Sequence, residues 1–221
     1  MAADERLFDG ACELTARRYL WNPPAVSLGK FQELAPGAQA ILAAAGVDVV
    51  RRPSGGRLVL HGEGFEWSFA VAFPAGALPW GTHAAYRLVR AAMAAALADA
   101  GLTCDAAREE PYTRSALCFA SALRHDLLVA GGKAVAVAQV RRGDHQLVHG
   151  SVLERRPPAE LVAAVEAATG EPWHGDGLAA CRAGQTTAGD GFQSVPDAET
   201  LWRGFLTELA AACGGSSHAG S

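Results

Sequence analysis

A pair of glycines between two short apolar runs constrains the fold of this chain more than any other feature. Gly131-Gly132 separates residues 126–130 from residues 134–140, and another apolar run follows at 146–153. Such a pair is typical of a tight two-residue hairpin, because glycine adopts the positive φ angles that these turns need. The sequence therefore predicts three consecutive antiparallel strands.

The rest of the chain alternates between helix and strand patterns. Apolar spacing predicts helices at 4–18, 39–45, 82–100, 158–169 and 198–211, and strands at 26–28, 47–51, 57–61 and 66–73. Because the strands come in hairpins with helices inserted, the predicted class is α+β, a mixed, largely antiparallel sheet covered by helices. One domain is expected over residues 1–213, followed by a disordered tail at 214–221.

Two of these elements carry patterns that predict burial. The 82–100 helix has an apolar stripe that includes Tyr86 and Met93, and the 66–73 strand and its preceding residue place Phe65, Trp67 and Phe69 at alternate positions. We interpret the stripe as core rather than as a ligand site, and we expect the three aromatic residues on one face.

Charge and hydropathy exclude several classes of protein. The net charge is −4 and the arginines are scattered, so no nucleic-acid partner is indicated. No apolar stretch approaches the roughly 18 residues that a membrane span needs, and the acidic N-terminus is unlike a signal peptide. We expect a cytoplasmic protein without a membrane or nucleic-acid partner.

The numbers and spacing of cysteines and lysines limit which residues are candidates for catalysis or metal binding. The 5 cysteines have no paired spacing, which fits neither a disulfide framework nor a zinc site, so we expect free thiols and no metal. Among 19 basic residues only Lys30 and Lys133 are lysines. A biased base composition explains most of that skew, but a lysine ammonium also has uses that a guanidinium lacks.

The segment 51–61 joins two predicted strands through a glycine-rich turn. Ser54, Gly55 and Gly56 lie between Arg52 and Arg57 in this turn. Glycines let the backbone approach a ligand, and arginines bind carboxylates or phosphates, although an ordinary hairpin with solvated arginines is an equal alternative.

Lys133 follows the glycine pair and precedes a buried run. An ammonium in such a place can polarise a carbonyl or bind a phosphate. The alternative is a lysine that discourages pairing at a sheet edge.

Cys118 is a candidate nucleophile in a loop-like stretch before the hairpin. A thiolate attacks thioesters and leaves readily, so it suits a relay of acyl groups. Its alternative is a small buried side chain, the usual role of a single cysteine.

Taken in order, these segments resemble the biotin/lipoate A/B protein ligase family from Met1 to about Gly204. The resemblance rests on the opening residues 1–5, the segment 21–32, the Arg-Arg-x-Ser-Gly-Gly loop at 51–61, Gly132-Lys133 and His149-Gly150-Ser151. Trp-x-Pro-Pro-x-x-Ser-x-Gly-x-Phe-Gln and a cysteine fifteen residues before Lys133 are similar to the cysteine-dependent octanoyltransferases of that family. Ala136-Val137 stand where the family usually has Gly-Ser.

The resemblance implies a ping-pong acyl transfer that needs no cofactor. Cys118 would take the octanoyl group from octanoyl-acyl carrier protein and pass it to a lysine of a lipoyl domain or glycine cleavage H protein, with Lys133 as its catalytic partner. The substrate-binding residues that it implies are Arg52, Ser54, Gly55, Gly56, Arg57, His61, Gln139, His149 and Gly150.

Three alternatives remain open at this point. The first is a lipoate-protein ligase that uses ATP and Mg, in which Lys133 contacts lipoyl-AMP and Cys118 has no chemical role. The second is a noncatalytic protein that binds lipoyl domains. Biotin transfer is the third, although no biotin-specific feature is present.

Overall fold

Helices separate groups of two or three consecutive strands along the chain. The computed structural model describes residues 2–9, 12–78, 83–105, 115–120, 126–179 and 196–214. In chain order the elements are α1 Ala2–Asp9, β1 Thr15–Tyr19, β2 Ala25–Leu28, α2 Ala38–Ala44, β3 Asp48–Arg51, β4 Val59–His61, β5 Glu66–Phe73, α3 Ala84–Asp99, β6 Leu127–Val129, β7 Gly132–Arg142, β8 His145–Leu153, α4 Ala159–Thr169 and α5 Ala198–Gly214. A short 3-10 helix covers Cys118–Ala120.

Within the described residues, the larger sheet has 5 strands in the order β1-β5-β8-β7-β6, and each neighbouring pair is antiparallel. Its register places Ser151 of β8 opposite Ser68 of β5 and Ala136 of β7. Residues directly opposite one another point to the same face of a sheet. This row of small side chains leaves space beside the sheet.

In the part of the chain that the structure describes, the smaller sheet has 3 strands in the order β3-β2-β4. Strand β2 is parallel to β3 and antiparallel to β4. Just before β4, the Leu58 carbonyl accepts a hydrogen bond of 2.8 Å from the Cys118 amide, and the Leu58 amide donates to Ala116. The segment that carries Cys118 is therefore fixed to the start of β4.

The helices cover the two sheets on separate sides. Helices α3 and α5 pack on one face of the larger sheet, where Trp67, Phe69 and Phe205 lie in the core. Helices α2 and α4 cover the smaller sheet through a second cluster that contains Leu42 and also Ala136 of β7. Because residues of both sheets belong to this second cluster, the space between the sheets continues into the core.

The α+β class and the largely antiparallel pairing are confirmed, with β2–β3 the single parallel pair among the strands of the described ranges. The helix predicted at 4–18 is wrong in its second half, since α1 ends at Asp9 and 15–19 is the edge strand β1. Alternation along β1 brings Arg17 and Tyr19 to one face, where both bind Asp4. These contacts and the pairing with β5 outweigh the helical spacing of the apolar residues.

The glycine hairpin forms one residue earlier than predicted. Ala130 and Gly131 make the turn, with φ angles of 49° and 81°, and Gly132 already pairs with Val129. Two successive positive φ angles are what a tight hairpin needs. Ala130 thus occupies a backbone region that residues with a Cβ seldom adopt.

Two predictions about burial need correction. Strand β5 is buried on both faces, and Phe65 packs in the second cluster whereas Trp67 and Phe69 pack in the first. In α3, Met93 is in the core as predicted, but Tyr86 lines a cavity. Helix α5 extends through Gly214, and the remainder of the expected tail lies outside the described residues. The first residue of the predicted 82–100 helix, Thr82, and one of the cysteines, Cys181, also lie outside them.

Candidate active site

A cavity of about 360 Å³ lies between the two sheets. Residues of β1, β5, β7 and β8 line it on one side, residues of β2 and β4 on the other, and the 52–57 loop and Tyr86 complete the wall. Its volume is within the range of about 300–1,000 Å³ that is usual for small-molecule sites. Val59, Ala136 and Val137 give part of the wall an apolar surface, which suits an acyl chain.

Arg52 holds the turn at 53–57 in shape. Its Nη2 donates to the carbonyls of Gly55 at 3.2 Å and Arg57 at 2.8 Å, and its Nη1 donates to the Ser27 carbonyl at 2.7 Å. Burial lowers the pKa of Arg52, but a guanidinium remains charged in proteins. Arg52 therefore supports the loop from within, while Gly56 and Arg57 also line the cavity.

Gly29 and Gly56 approach too closely for a side chain at Gly29. A Cβ there would lie 1.9 Å from the Gly56 carbonyl oxygen. We expect Gly29→Ala to displace the loop and lower the free energy of unfolding by at least about 2 kcal/mol in urea denaturation. Gly55→Ala is the matched control, because a Cβ at Gly55 meets nothing within 4 Å and should change stability by less than about 0.5 kcal/mol. Equal losses in both variants would contradict this account.

Cys118 lies at the cavity wall beside the buried ion pair of Lys133 and Asp126. The Lys133 Nζ lies 3.3 Å from the Cys118 Sγ and donates to the Cys118 carbonyl at 2.8 Å. Its third contact is the Asp126 Oδ2 at 2.7 Å, and both side chains of this ion pair are buried. A buried ammonium that touches a sulfur stabilises negative charge on that sulfur or on an oxygen bound beside it.

The electrostatic surroundings keep Lys133 protonated. Burial acts to lower the pKa of Lys133, but Cys118 and Asp126 outweigh burial, so the pKa lies above its ordinary value. Lys133 is therefore a donor and a fixed positive charge at neutral pH. It cannot accept a proton from an attacking amine.

Asp4 is a buried carboxylate with partners on two strands. Its oxygens accept hydrogen bonds of 2.9 Å from the Arg17 Nε and the Tyr19 hydroxyl, and its Oδ2 lies 3.8 Å from the His149 Nδ1. Burial acts to raise the pKa of Asp4, but contacts with His149 and Arg17 lower it to about 2. For His149, burial is the main cause of a lowered pKa, so the imidazole is neutral at pH 7.

Because the pKa of Asp4 is lowered, the free energy of unfolding depends on pH in the acid range. The ordinary value of 3.8 against about 2 in the folded protein corresponds to about 2 kcal/mol. This stabilisation is complete above pH 3.8 and is lost as the pH falls towards 2. We expect Asp4→Asn to be destabilised by about 2 kcal/mol at pH 7 in urea denaturation, and the difference from wild type to shrink below pH 4. A difference that stays constant down to pH 3 would contradict the linkage.

His61, the second histidine of the wall, has partners on both nitrogens. Its Nε2 lies 2.7 Å from the Ser27 hydroxyl, and its Nδ1 lies 3.1 Å from the Glu66 carboxylate. Trp21 stacks on its ring with 4.4 Å between centroids. His61 is thus fixed in the wall and gives the cavity a polar patch.

The structure brings most of the predicted site residues to one cavity. Its lining includes Cys118, Lys133, Arg52, Gly56, Arg57, His61, His149 and Gly150. The Ser54 hydroxyl is instead hydrogen-bonded to His149, and Gly55 lines a second, more open cavity. The Gln139 amide donates to Gln146 at 3.0 Å, and Gln139 is not among the residues that line the cavity in the described part of the chain.

Sequence reasoning missed Asp126 and Asp4. Asp126 is the first residue of the apolar run before the hairpin, and Lys133 follows the turn. A single carboxylate and a single lysine on either side of a hairpin turn indicate an ion pair across the two strands, here β6 and β7. Asp4 lies in the opening segment of the family resemblance, but nothing local predicts its distant partners. The partners of Asp4 become visible only when the fold is known.

Neither a cluster of metal-binding side chains nor a helix suited to cross a membrane is present in the described residues. No group of three or more histidine, cysteine or acidic side chains in these ranges is arranged to hold a metal ion. Within the same ranges, no helix has both the length and the apolar character that a membrane crossing requires.

Comparison with known proteins gives a family and several relatives. The family model of the lipoyl protein ligase A/B catalytic domain matches residues 1–171. Octanoyltransferase LipM of Symbiobacterium thermophilum is 35% identical over 165 residues, which is 69% of this chain and 60% of that protein. LipM of Kyrpidia tusciae is 33% identical over 175 residues, covering 74% of this chain and 64% of that protein. The chain thus spans somewhat over half the length of these curated relatives.

Solved structures share the fold at low identity. A putative lipoate protein ligase from Thermoplasma acidophilum, with bound lipoic acid, superposes with a TM-score of 0.70 and 16% identity over 96% of this chain and 78% of that one. Lipoate-protein ligase A bound with ATP gives a TM-score of 0.68 at 16% identity, with the same shares of the two chains.

Proposed function

Because this chain belongs to the lipoyl protein ligase A/B catalytic domain family, we propose that it is an acyltransferase of protein lipoylation. It moves an octanoyl group from an acyl carrier protein, through a thioester on Cys118, to a lysine of a lipoyl domain or a glycine cleavage H protein. Similarity to octanoyltransferases LipM supports this route. In this proposal the reaction takes place in the cytoplasm and uses no metal or nucleotide.

One observation carries the proposal. The Cys118 sulfur lies 3.3 Å from the Lys133 ammonium, and both residues line a cavity between the sheets. At this distance the ammonium can stabilise negative charge that develops on the sulfur or on an acyl oxygen bound beside it. The cost of burying Lys133 and Asp126 is repaid when their charges act on a reacting group.

The first half of the reaction loads the enzyme. The Cys118 thiolate attacks the thioester carbonyl, a bond forms from Sγ to the acyl carbon, and the bond from that carbon to the carrier sulfur breaks. The carrier leaves as a thiolate and takes up a proton, which balances the proton that the Cys118 thiol gives up to form the attacking thiolate. Lys133 stabilises the oxyanion of the tetrahedral intermediate, because its charge acts where water is excluded.

The second half transfers the chain to nitrogen. The acceptor lysine attacks as a free amine, forms an amide bond and expels the Cys118 thiolate, and the proton that the amine releases balances the one that this thiolate takes up as it returns to the thiol. Lys133 stays protonated and cannot take the amine proton. The apolar wall at Val59, Ala136 and Val137 holds the chain in both halves, and the Tyr86 hydroxyl fixes this wall by donating to the Val137 carbonyl at 2.7 Å.

Intact-protein mass spectrometry tests the proposal. Incubation with octanoyl-acyl carrier protein, without ATP, is expected to add one octanoyl group that hydroxylamine removes and that peptide mapping places on Cys118. Addition of a lipoyl domain should then discharge the enzyme and increase the mass of the domain by the same amount. No adduct under these conditions would refute the relay.

A second candidate is an ATP-dependent lipoate-protein ligase. It is favoured by a second cavity of about 480 Å³, which shares Gly56 and Arg57 with the first and offers room for a nucleotide beside an acyl carboxylate. This route requires ATP and Mg and leaves Cys118 without a chemical role. Modification of the lipoyl domain only when free acid, ATP and Mg are supplied would establish the ligase.

A further inference from the structure

A chain of contacts connects helix α1 to the loop at the cavity. We propose that Asp4 and His149 are positioning residues, with Asp4 fixing the His149 ring so that it holds Ser54 and, through Ser54, the part of the 52–57 loop that lines the cavity. This inference rests on the proposed function for the identity of the substrate. The first measurement that tests it does not require the enzyme to be active.

The contacts run through buried side chains. The Ser54 hydroxyl lies 2.6 Å from the His149 Nε2, and the opposite ring nitrogen, Nδ1, lies 3.8 Å from the Asp4 Oδ2. All three residues are at most 4% exposed. Hydrogen bonds among buried groups are not exchanged for bonds to water, so this arrangement persists.

The Asp4 carboxylate selects the tautomer of His149. A distance of 3.8 Å is longer than a hydrogen bond, so the contact is electrostatic. Negative charge beside Nδ1 favours the tautomer with the proton on Nδ1. The Nε2 is then an acceptor, and the Ser54 hydroxyl donates to it.

The Ser54–His149 bond joins the two halves of the cavity. The loop is otherwise fastened to the smaller sheet, since the Ser54 carbonyl accepts from the Lys30 amide at 2.8 Å and Arg52 binds Gly55 and Arg57. His149, in contrast, belongs to β8 of the larger sheet. The bond therefore sets how far Gly56 and Arg57 stand from the opposite wall.

Three variants separate positioning from support of the fold. Asp4→Asn keeps the shape of the side chain and removes its charge, and Ser54→Ala removes only the hydroxyl. Arg17→Gln is the matched control, because it removes another partner of Asp4 and leaves the carboxylate beside His149. A purely structural role for Asp4 predicts that Asp4→Asn and Arg17→Gln behave alike.

The first measurement is the ¹⁵N spectrum of the imidazoles in the full chain at pH 7.5, with the His149 signals identified by His149→Asn. We expect the Nδ1–H tautomer in wild type and in Arg17→Gln, and a shift towards Nε2–H in Asp4→Asn. Wild-type His149 in the Nε2–H form would overturn the inference, whether or not the enzyme transfers octanoyl groups.

The second measurement is the single-turnover rate of Cys118 octanoylation. Asp4→Asn and Ser54→Ala should each raise the half-saturating concentration of octanoyl-acyl carrier protein about tenfold with little change in the maximal rate, and the double variant should be no worse. Additive losses would overturn the inference. If Asp4→Asn does not fold, an unchanged half-saturating concentration in Ser54→Ala would also overturn the inference. Wild type that forms no thioester refutes the proposed function instead.

Discussion

Cys118→Ala is expected to lower octanoyl transfer to a lipoyl domain by at least about a thousandfold, because loss of a nucleophile removes the covalent route. The Ala side chain has no atom that can carry the acyl group. Charge at Lys133 and the cavity remain, so binding of the substrate should change little. The rate is measured by mass spectrometry of the lipoyl domain under saturating octanoyl-acyl carrier protein.

Cys104→Ala is the matched control for this prediction. Cys104 is a free, half-buried thiol, and burial raises the pKa of that thiol, so it is a poor nucleophile. Its removal should leave transfer within about twofold of wild type. If Cys118→Ala retained activity similar to that of Cys104→Ala, the thioester relay would have to be abandoned and the ATP-dependent route tested.

Lys133→Met should have the second largest effect, and it should act on both rate and stability. Loss of the donor at the developing oxyanion is expected to lower the rate of Cys118 octanoylation by about a hundredfold to a thousandfold. The substitution also leaves the Asp126 carboxylate buried without its cation, which costs about 3 kcal/mol of unfolding free energy. Single-turnover rates and urea denaturation measure the two losses.

A double variant separates these losses. Lys133→Met with Asp126→Asn removes both charges, so most of the stability should return while the rate stays low. Recovery of the rate in the double variant would show that Lys133 supports only the fold. Failure of stability to recover would show that the ion pair at 2.7 Å is not the source of the loss.

The sequence predicted elements that depend on local pattern and missed contacts that depend on distant segments. Glycine pairs and apolar runs predicted the β6–β8 meander, because turn chemistry and alternation act within a few residues. Strand β1 was mistaken for helix, since its pairing with β5 and its contacts with Asp4 lie far apart in the chain.

The candidate site followed the same division. Cys118 and Lys133 were predicted from a family pattern, and the fold places their side chains in contact. The pairing of Asp126 with Lys133 can be predicted from the hairpin between them. The contacts of Asp4 cannot be predicted in this way, because its partners come from β1 and β8. Side chains that support other side chains leave little trace in a single sequence.

The position of the cavity between the two sheets links substrate to folding. Ala136 and Val59 belong to the cavity wall and also to the hydrophobic cluster that joins the sheets. Under the proposed function, an octanoyl chain in this place would make apolar contacts on several sides, as a core side chain does. If the proposed function holds, the acyl group fills part of the interior of the protein, and we expect the acylated protein to be the more thermally stable form.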